Sequence, residues 1–323
     1  MNRREFFKRS LTIAGSLLIA RNSNASDQPL SVYSTQNKAN KKNWEKFEEL
    51  KKTNSQIDES YAVLVDITKC IGCRRCEWAC NEWNKNPNRP VKEFEASKDE
   101  KPSVFDRVRR THAGEFTVVN RFHSKNKPVY VKKQCMHCAE AACLNACFVD
   151  AFKKTPQGAV LYNPSLCVGC RYCMIACPFD IPAYEYYNAL TPQITKCTMC
   201  FDRVTDGKVP ACVESCTSDA LIFGKRSEML KLAYNTINKN PERYINHVYG
   251  EHEAGGTNWL YISQIPFEKL GFPELDKTPI PAHSKSFLFT VKVLEVVAAA
   301  PLVWGAYYMI SKNRSKKEGK KDE

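Results

Sequence analysis

The chain has 323 residues, 16 of them cysteine, and a formal net charge of +13. That length allows one large domain or two small ones. A core of scattered thiols is excluded, because every cysteine falls into one of four quartets and none is left over.

At the start, Asn2-Arg3-Arg4-Glu5-Phe6-Phe7-Lys8 has the form of a twin-arginine export signal: a paired arginine, an aromatic residue, then lysine. An apolar run from Leu11 to Ala20 and the small residues Ser23-Asn24-Ala25 complete it. An ordinary secretory signal is the alternative. Residues 1–25 are therefore set apart from the fold. Residues 26–58 are dominated by Asn, Lys, Ser and Gln and read as a polar linker. Trp44, Phe47 and Leu50 allow one short amphipathic helix within it; a helix that docks on a partner is the other reading.

Tyr61–Asp66 reads as a strand that leads into the first quartet, Cys70, Cys73, Cys76 and Cys80. A long insertion follows. It ends in two predicted strands, Glu115–Phe122 and Pro128–Lys133, joined by Ser-Lys-Asn-Lys as a hairpin flap. The second quartet is Cys135, Cys138, Cys143 and Cys147. The third, Cys167, Cys170, Cys173 and Cys177, reads C-x-x-C-x-x-C-x-x-x-C-P, the bacterial ferredoxin run. In that run three thiolates hold one cubane and the fourth reaches a neighbouring one. The fourth quartet is Cys197, Cys200, Cys212 and Cys216.

Between the second and third quartets lies a predicted tight hairpin, Ala151–Lys154 and Ala159–Tyr162, the layout of a two-cluster ferredoxin. Spacing thus pairs these quartets, with the last ligand exchanged. One cubane takes Cys135, Cys138, Cys143 and Cys177; the other takes Cys167, Cys170, Cys173 and Cys147. By elimination the outer quartets pair around them. One outer cubane takes Cys70, Cys73, Cys76 and Cys216; its mate takes Cys197, Cys200, Cys212 and Cys80. Disulfides suit small secreted domains, but the first triplet is too crowded for them. Zinc wants two C-x-x-C pairs per site, which the first and third quartets do not offer. The chain ends carry +4 in the first 25 residues and +3 in the last 13. Four cubanes with their thiolates bring about −8, so the body is near neutral and no nucleic-acid face is expected.

His137 lies inside a complete quartet, so packing or a hydrogen bond to a ligand is expected of it. Trp78 and Trp83 flank the first quartet and are expected to shield a cluster from water. His247, Glu251 and His252 match no zinc signature and read as a structured loop. Lys225–Asn238 carries a helical pattern. Asn240-Pro241-Glu242 looks like the cap and first turn of another short helix. Ile265 to His283 is rich in proline and is expected to run extended over the surface. Phe287–Ile310, 24 residues, is long enough to span a bilayer. Lys292 and Glu295 lie three apart on one face of it. The basic residues that follow put the C-terminus in the cytoplasm, which agrees with export of the body.

Four quartets in this order resemble the four-cluster electron-transfer (beta) subunits of respiratory oxidoreductases: formate dehydrogenase, nitrate reductase, dimethyl sulfoxide reductase and polysulfide reductase. The likeness covers about residues 60–265, and the same ligand exchange is implied by it. Some members replace a third-quartet cysteine and carry a 3Fe–4S cluster. Here Cys170 is present, so four 4Fe–4S clusters are implied. Export signal and membrane segment together are most similar to the iron–sulfur subunits of hydrogenase-2-type complexes. The segment His247–Gly256 resembles both that group and formate dehydrogenase beta subunits.

The resemblance implies an α+β fold of two nested bacterial-ferredoxin-like two-cluster units with a β-hairpin insertion, plus one C-terminal transmembrane helix. Its domains are 1–25 (signal), 26–58 (linker), 59–285 (four-cluster ferredoxin-like domain), 286–310 (membrane helix) and 311–323 (basic cytoplasmic tail). The implied role is not catalytic. The chain would relay electrons from a periplasmic catalytic subunit, a nickel–iron hydrogenase, to an integral membrane quinone-reactive subunit. A molybdenum or tungsten enzyme such as formate dehydrogenase is the alternative catalytic partner. A zinc-stabilised adaptor and a free-standing carrier are readings from other classes. The expected location is the inner membrane, with the body in the periplasm.

Overall fold

The computed structural model describes residues 40–49, 59–96, 103–124, 127–187 and 192–282, with 301, 304–305 and 307–310. The expected export signal, the basic tail and most of the expected membrane helix Phe287–Ile310 lie outside these residues. Among the described residues no helix is long and apolar enough to cross a membrane.

Strand β1, Tyr61–Asp66, is the spine of the molecule. Its continuous apolar sequence suits a central strand covered on both faces. In chain order there follow helix α1 (Arg75–Asn84), helix α2 (Val91–Ala96), hairpin strands β2 (Thr117–Ser124) and β3 (Lys127–Gln134), and helix α3 (Ala142–Asn145). Next come the short hairpin β4 (Phe152–Lys154) and β5 (Val160–Tyr162), helix α4 (Tyr172–Ala176), and the paired dipeptides β6 (Ala183–Tyr184) and β7 (Ile194–Thr195). Helices α5 (Phe201–Thr205) and α6 (Ala211–Glu214), strand β8 (Leu221–Lys225), helix α7 (Arg226–Lys239) and strand β9 (Trp259–Ile262) complete the body.

β1 pairs antiparallel with β8 and parallel with β9, so it is the middle of a three-stranded sheet. Alternation along β1 divides two cores. Ala62 and Leu64 face α7 and pack with Met229, Ala233, Ile237 and Leu260. Val63 and Val65 face the other way and pack with Val131, Trp259, Tyr261, Cys135 and Cys212. The sheet is thus a wall, with α7 behind it and the cysteine loops in front.

The insertion hairpin forms, with β2 and β3 in register from Thr117↔Gln134 to Ser124↔Lys127, but it is not a flap. Val129 and Val131 sit in the main core, and Lys132 and Gln134, 3% and 1% exposed, are buried too. Both sides of β3 are therefore covered. The expected linker is also corrected over residues 40–49, which are helical. Trp44 and Phe47 pack on Phe201, Met199 and Leu161, and Asn43 Oδ1 accepts from the Asp202 N–H at 3.0 Å. Apolar residues three apart make the docking stripe that the polar surroundings disguise.

Two further expectations change. Asn240-Pro241-Glu242 starts no helix. Asn240 instead closes α7, its Nδ2 donating to Thr236 O at 3.2 Å and its N–H to Ile237 O at 3.0 Å. The segment from Ile265 does not simply cross the surface. Phe267 and Leu270 are 1% and 3% exposed, and the rings of Phe267, Phe272 and Tyr249 pack tilted or edge-on at centroid separations of 4.7–5.4 Å.

Candidate metal centre

Each ferredoxin-type cysteine loop starts from a capped turn. Asp66 Oδ1 accepts from the N–H and hydroxyl of Thr68 at 3.0 and 2.7 Å, closing a 3-10 turn that delivers Cys70. Asn163 Oδ1 accepts from the Ser165 N–H at 2.9 Å and delivers Cys167 in the same way. Gly72 and Gly169 then take φ of 70° and 71°. A Cβ on Gly72 would lie 2.4 Å from the Tyr130 ring, so only glycine lets the loop pass the β3 strand. Past this turn α1 carries Cys76 and Cys80, while α4 carries Cys173 and ends at Cys177.

The second and fourth quartets follow a different shared path. His137 and Met199, each just before the second cysteine, have φ of 49° and 58°. The four-residue helices α3 and α6 carry Cys143 and Cys212, and Cys147 and Cys216 lie beyond their ends. Asp150 and Asp219, at φ of 56° and 50°, turn the chain away. Asp tolerates this conformation better than most residues.

The fold gathers the sixteen cysteines into four groups. Cys70, Cys73, Cys76 and Cys216 line one small cavity. Cys80, Cys197, Cys200 and Cys212 line another. Cys135, Cys138 and Cys177 lie close enough to Cys143 to help raise its thiol pKa, after burial, and Cys147, Cys167 and Cys170 act in the same way on Cys173. Each group joins three members of one quartet with one member of another. Of the sixteen, Cys170 is the one that is exposed.

The chemistry of these groups fits a sulfur-rich iron cluster. A single zinc ion draws four sulfurs within about 4 Å of one another, whereas among the described residues no His, Cys, Asp or Glu trio could hold one ion. Burial pushes the Cys70 thiol up to about 11 and those of Cys138, Cys173 and Cys197 to about 12. Cys76, Cys80, Cys143 and Cys200 are driven well above the ordinary thiol range, again by burial first. Iron ligands must be thiolates, so these sites call for a strongly positive centre. N–H groups already point at sulfur: Gly169 to Cys167, Met199 to Cys197 and Ala151 to Cys147, at 3.3–3.4 Å. Such bonds stabilise negative charge on sulfur.

Two buried aromatic-ring N–H donors, on Trp259 and His137, lack an acceptor among the described residues. Trp259 lines the cavity with Cys80, Cys197, Cys200 and Cys212, and its Nε1 is without a partner. His137 Nδ1 accepts from the Val160 N–H at 2.9 Å, so the ring proton sits on Nε2, which is also unpartnered. Burial drives the His137 imidazole well below its usual pKa, so it stays neutral. An inorganic sulfide is the acceptor such donors suit.

Sequence reasoning missed the polar groups that surround the sulfurs. Glu77 is fully buried and accepts from Arg74 at 2.6 and 2.9 Å, from the Val119 N–H at 2.5 Å, and from Arg109. It ties α1 to the insertion hairpin. Lys132, Lys154 and Lys196 converge on the cysteine groups. Burial alone would lower the Lys132 pKa, but Cys212 and Cys76 beside it hold the ammonium charged. Lys154 donates to His137 O, Cys138 O, Gly158 O and Asn258 Oδ1 at 2.7–3.0 Å. Lys196 donates to Val160 O and to Cys197 O. Nothing local marks them: Lys132 and Lys154 each stand beside another lysine in a short strand, and Lys196 follows a two-residue strand.

Trp78 packs beside Ala79, Cys200 and Ala211. Trp83 is partly exposed and donates to Asp202 Oδ1 at 3.1 Å, so it fastens α1 to α5. His247 and Glu253 pair at 2.7 Å, and Glu253 accepts from the Gly250 N–H at 2.7 Å. That loop is structured, as expected.

Comparison with known proteins agrees with this chemistry. Residues 127–226 match the 4Fe–4S dicluster domain family. A protein of Nitratidesulfovibrio vulgaris is 48% identical over 261 residues, 80% of this chain and 68% of that protein. Hydrogenase-2 operon protein HybA of Escherichia coli O157:H7 is 34% identical over 263 residues, covering 73% of this chain and 79% of its own length. The iron–sulfur subunit of the nitrate-inducible formate dehydrogenase of Escherichia coli is 35% identical over 209 residues, 62% of this chain and 67% of that subunit.

Proposed function

Because the chain belongs to the ferredoxin-type iron–sulfur subunits of respiratory oxidoreductases, we propose that it is the wire between a periplasmic nickel–iron hydrogenase and a membrane quinone-reactive subunit. It is an electron-transfer component with multiple 4Fe–4S clusters, and it is not an enzyme by itself. Each cluster, when bound, takes up and gives back one electron.

The observation that carries the reading is the meeting of sixteen cysteines in four groups, each pairing three members of one quartet with one of another. We assign Cys70, Cys73, Cys76 and Cys216 to one cubane, and Cys80, Cys197, Cys200 and Cys212 to a second. Cys135, Cys138, Cys143 and Cys177 hold a third, and Cys147, Cys167, Cys170 and Cys173 a fourth. The protein's own part is to bury these sulfurs, hold them with N–H donors and exclude water, so that each potential is set by its surroundings.

The likeness to hydrogenase-2 operon protein HybA supports the hydrogenase. The likeness to a formate dehydrogenase iron–sulfur subunit supports the second reading, a molybdenum or tungsten partner. Arg3-Arg4 and the basic residues after Ile310 support a body outside the inner membrane, an anchor at Phe287–Ile310 and a cytoplasmic tail. The domain limits proposed are 1–25, 26–58, 59–285, 286–310 and 311–323.

Anaerobic purification after gentle detergent extraction tests this. About sixteen irons with equal acid-labile sulfide are expected, from four cubanes, along with a co-purifying nickel–iron subunit. A molybdenum or tungsten subunit in its place selects the second reading. Zinc without iron would defeat both.

A further inference from the structure

Lys132 stands between two of the cysteine groups. It lines the cavity of Cys70, Cys73, Cys76 and Cys216, and it also lines the cavity of Cys80, Cys197, Cys200 and Cys212. The residue is 3% exposed. Among the described residues no carboxylate pairs with its ammonium. Nζ donates instead to Gln134 Oε1 at 2.8 Å and lies 4.3 Å from the centre of the Trp259 ring. Gln134 Nε2 in turn donates to Tyr261 OH at 2.6 Å, and that hydroxyl donates back to Lys132 O at 3.1 Å. The side chain is therefore held in place by neutral groups only.

A buried ammonium with no counter-charge is costly, and a neutral amide with an aromatic face offsets little of that cost. The missing negative charge has to come from the two sulfur-lined cavities that the ammonium borders. A cubane with four thiolates is anionic when oxidised and gains one more negative charge when reduced. A fixed cation beside it favours the reduced state.

We propose that Lys132 is a positioning residue shared by the two outer clusters, one cation that raises the reduction potentials of both together. The proposal rests on the four-cluster reading above. Each outer cluster accepts one electron from its neighbour in the relay, and the lysine keeps its proton throughout. Lys154, on the backbone of His137 and Cys138, and Lys196, on that of Val160 and Cys197, line neither outer cavity. Lys132 alone, among the described residues, lines both outer cavities.

The test is a redox titration of the full-length holoprotein, followed by electron paramagnetic resonance, in two variants. Lys132→Met removes the charge and keeps the length of the side chain. Gln134→Glu keeps the lysine and places a carboxylate where the ammonium now meets an amide. Both should lower the same two of the four midpoint potentials by at least tenfold in the reduction equilibrium, about 59 mV for one electron, and leave the other two in place. An equal shift of all four, a shift of one alone, or no shift overturns the proposal. Loss of an outer cluster in Lys132→Met, with Gln134→Glu unmoved, overturns it as well. Iron counted on the same samples separates these outcomes from failure of the four-cluster reading, which would show as missing iron in the unaltered protein.

Discussion

Arg74 and Arg171 have the same left-handed backbone, φ 61° in each and ψ of 9° and 8°. Each follows the second cysteine of its quartet and starts the helix that presents the third. Two loops far apart in sequence thus trace one shape, and their environments differ. Gly72 is pressed against Tyr130, whereas a Cβ on Gly169 would meet nothing nearer than the Tyr184 hydroxyl at 3.3 Å. Gly169→Ala should cost about 1 kcal/mol, the penalty of a positive φ. Gly72→Ala adds a clash with a packed ring and should cost about 1–3 kcal/mol more. Anaerobic denaturant melts of the two holoproteins check the order; equal losses would mean that the Tyr130 contact carries no energy.

This repeat was legible in the sequence as cysteine spacing, and so were β1, the β4–β5 hairpin and α7, because apolar patterning and cysteine spacing are local signals. The role of β3 was not. Val129 and Val131 announce one covered face, but Lys132 on the other face reads as solvated until the fold sets sulfur on both sides of it. Trp44 and Phe47 were likewise visible as a stripe, yet nothing local says that Phe201 waits to receive it. Long-range burial of polar residues is decided by what packs over them, and that is absent from any window of sequence.

Glu77 is the fixed charge between Arg74 and Arg109. Removing one member of a buried ion set strands the others, which costs about 3–5 kcal/mol. Glu77→Ala should show that loss in chemical denaturation. Glu77→Gln should lose less, because its amide oxygen still accepts from the Val119 N–H. A change under about 1 kcal/mol in Glu77→Ala, the range of exposed pairs, would show that α1 and the hairpin are joined by other contacts.

His137 combines a positive φ with an acceptor for the Val160 N–H. Asparagine can supply both, since its carbonyl oxygen stands near the place of Nδ1 and it tolerates left-handed backbone. Phenylalanine supplies neither and leaves a buried N–H unsatisfied, at about 1–3 kcal/mol. His137→Asn should therefore be more stable than His137→Phe by about that amount. The reverse order in thermal melts would show that ring volume matters more than the hydrogen bond.

Cys170 is the exposed member of its group. Oxidant reaches that corner first, so brief air exposure should convert this one site to a 3Fe form while the buried outer sites persist. Cys170→Ala should arrive in that state, or without the cluster, with about one to four irons missing from about sixteen. A 3Fe signal by electron paramagnetic resonance in the variant, matching that of the aerated protein, is the expected result. An unaltered iron count in Cys170→Ala would remove Cys170 from the ligand set.

Stripping the iron should unfold the front of the molecule and spare its back. Burial pushes the Cys138 and Cys197 thiols up to about 12 and that of Cys70 to about 11, so near neutral pH the freed sulfurs become uncharged thiols around unfilled space. Helices α3 to α6, which hold Cys143, Cys173 and Cys212 and flank Cys177 and Cys200, are only four or five residues long. Isolated helices shorter than about 12 residues are marginal in water, and these have no long apolar face to replace the metal bonds. Behind the sheet the case is different. α7 has 14 residues and packs Met229, Ala233 and Ile237 on Ala62, Leu64 and Leu260, a core that includes no cysteine. Hydrogen exchange on the chelated protein should therefore show protection lost across residues 135–147, 167–177 and 197–216 and kept in β1 and α7. Uniform loss would mean that the sheet and α7 depend on the metal sites as well, and full protection would mean that the cysteine loops hold their shape without them.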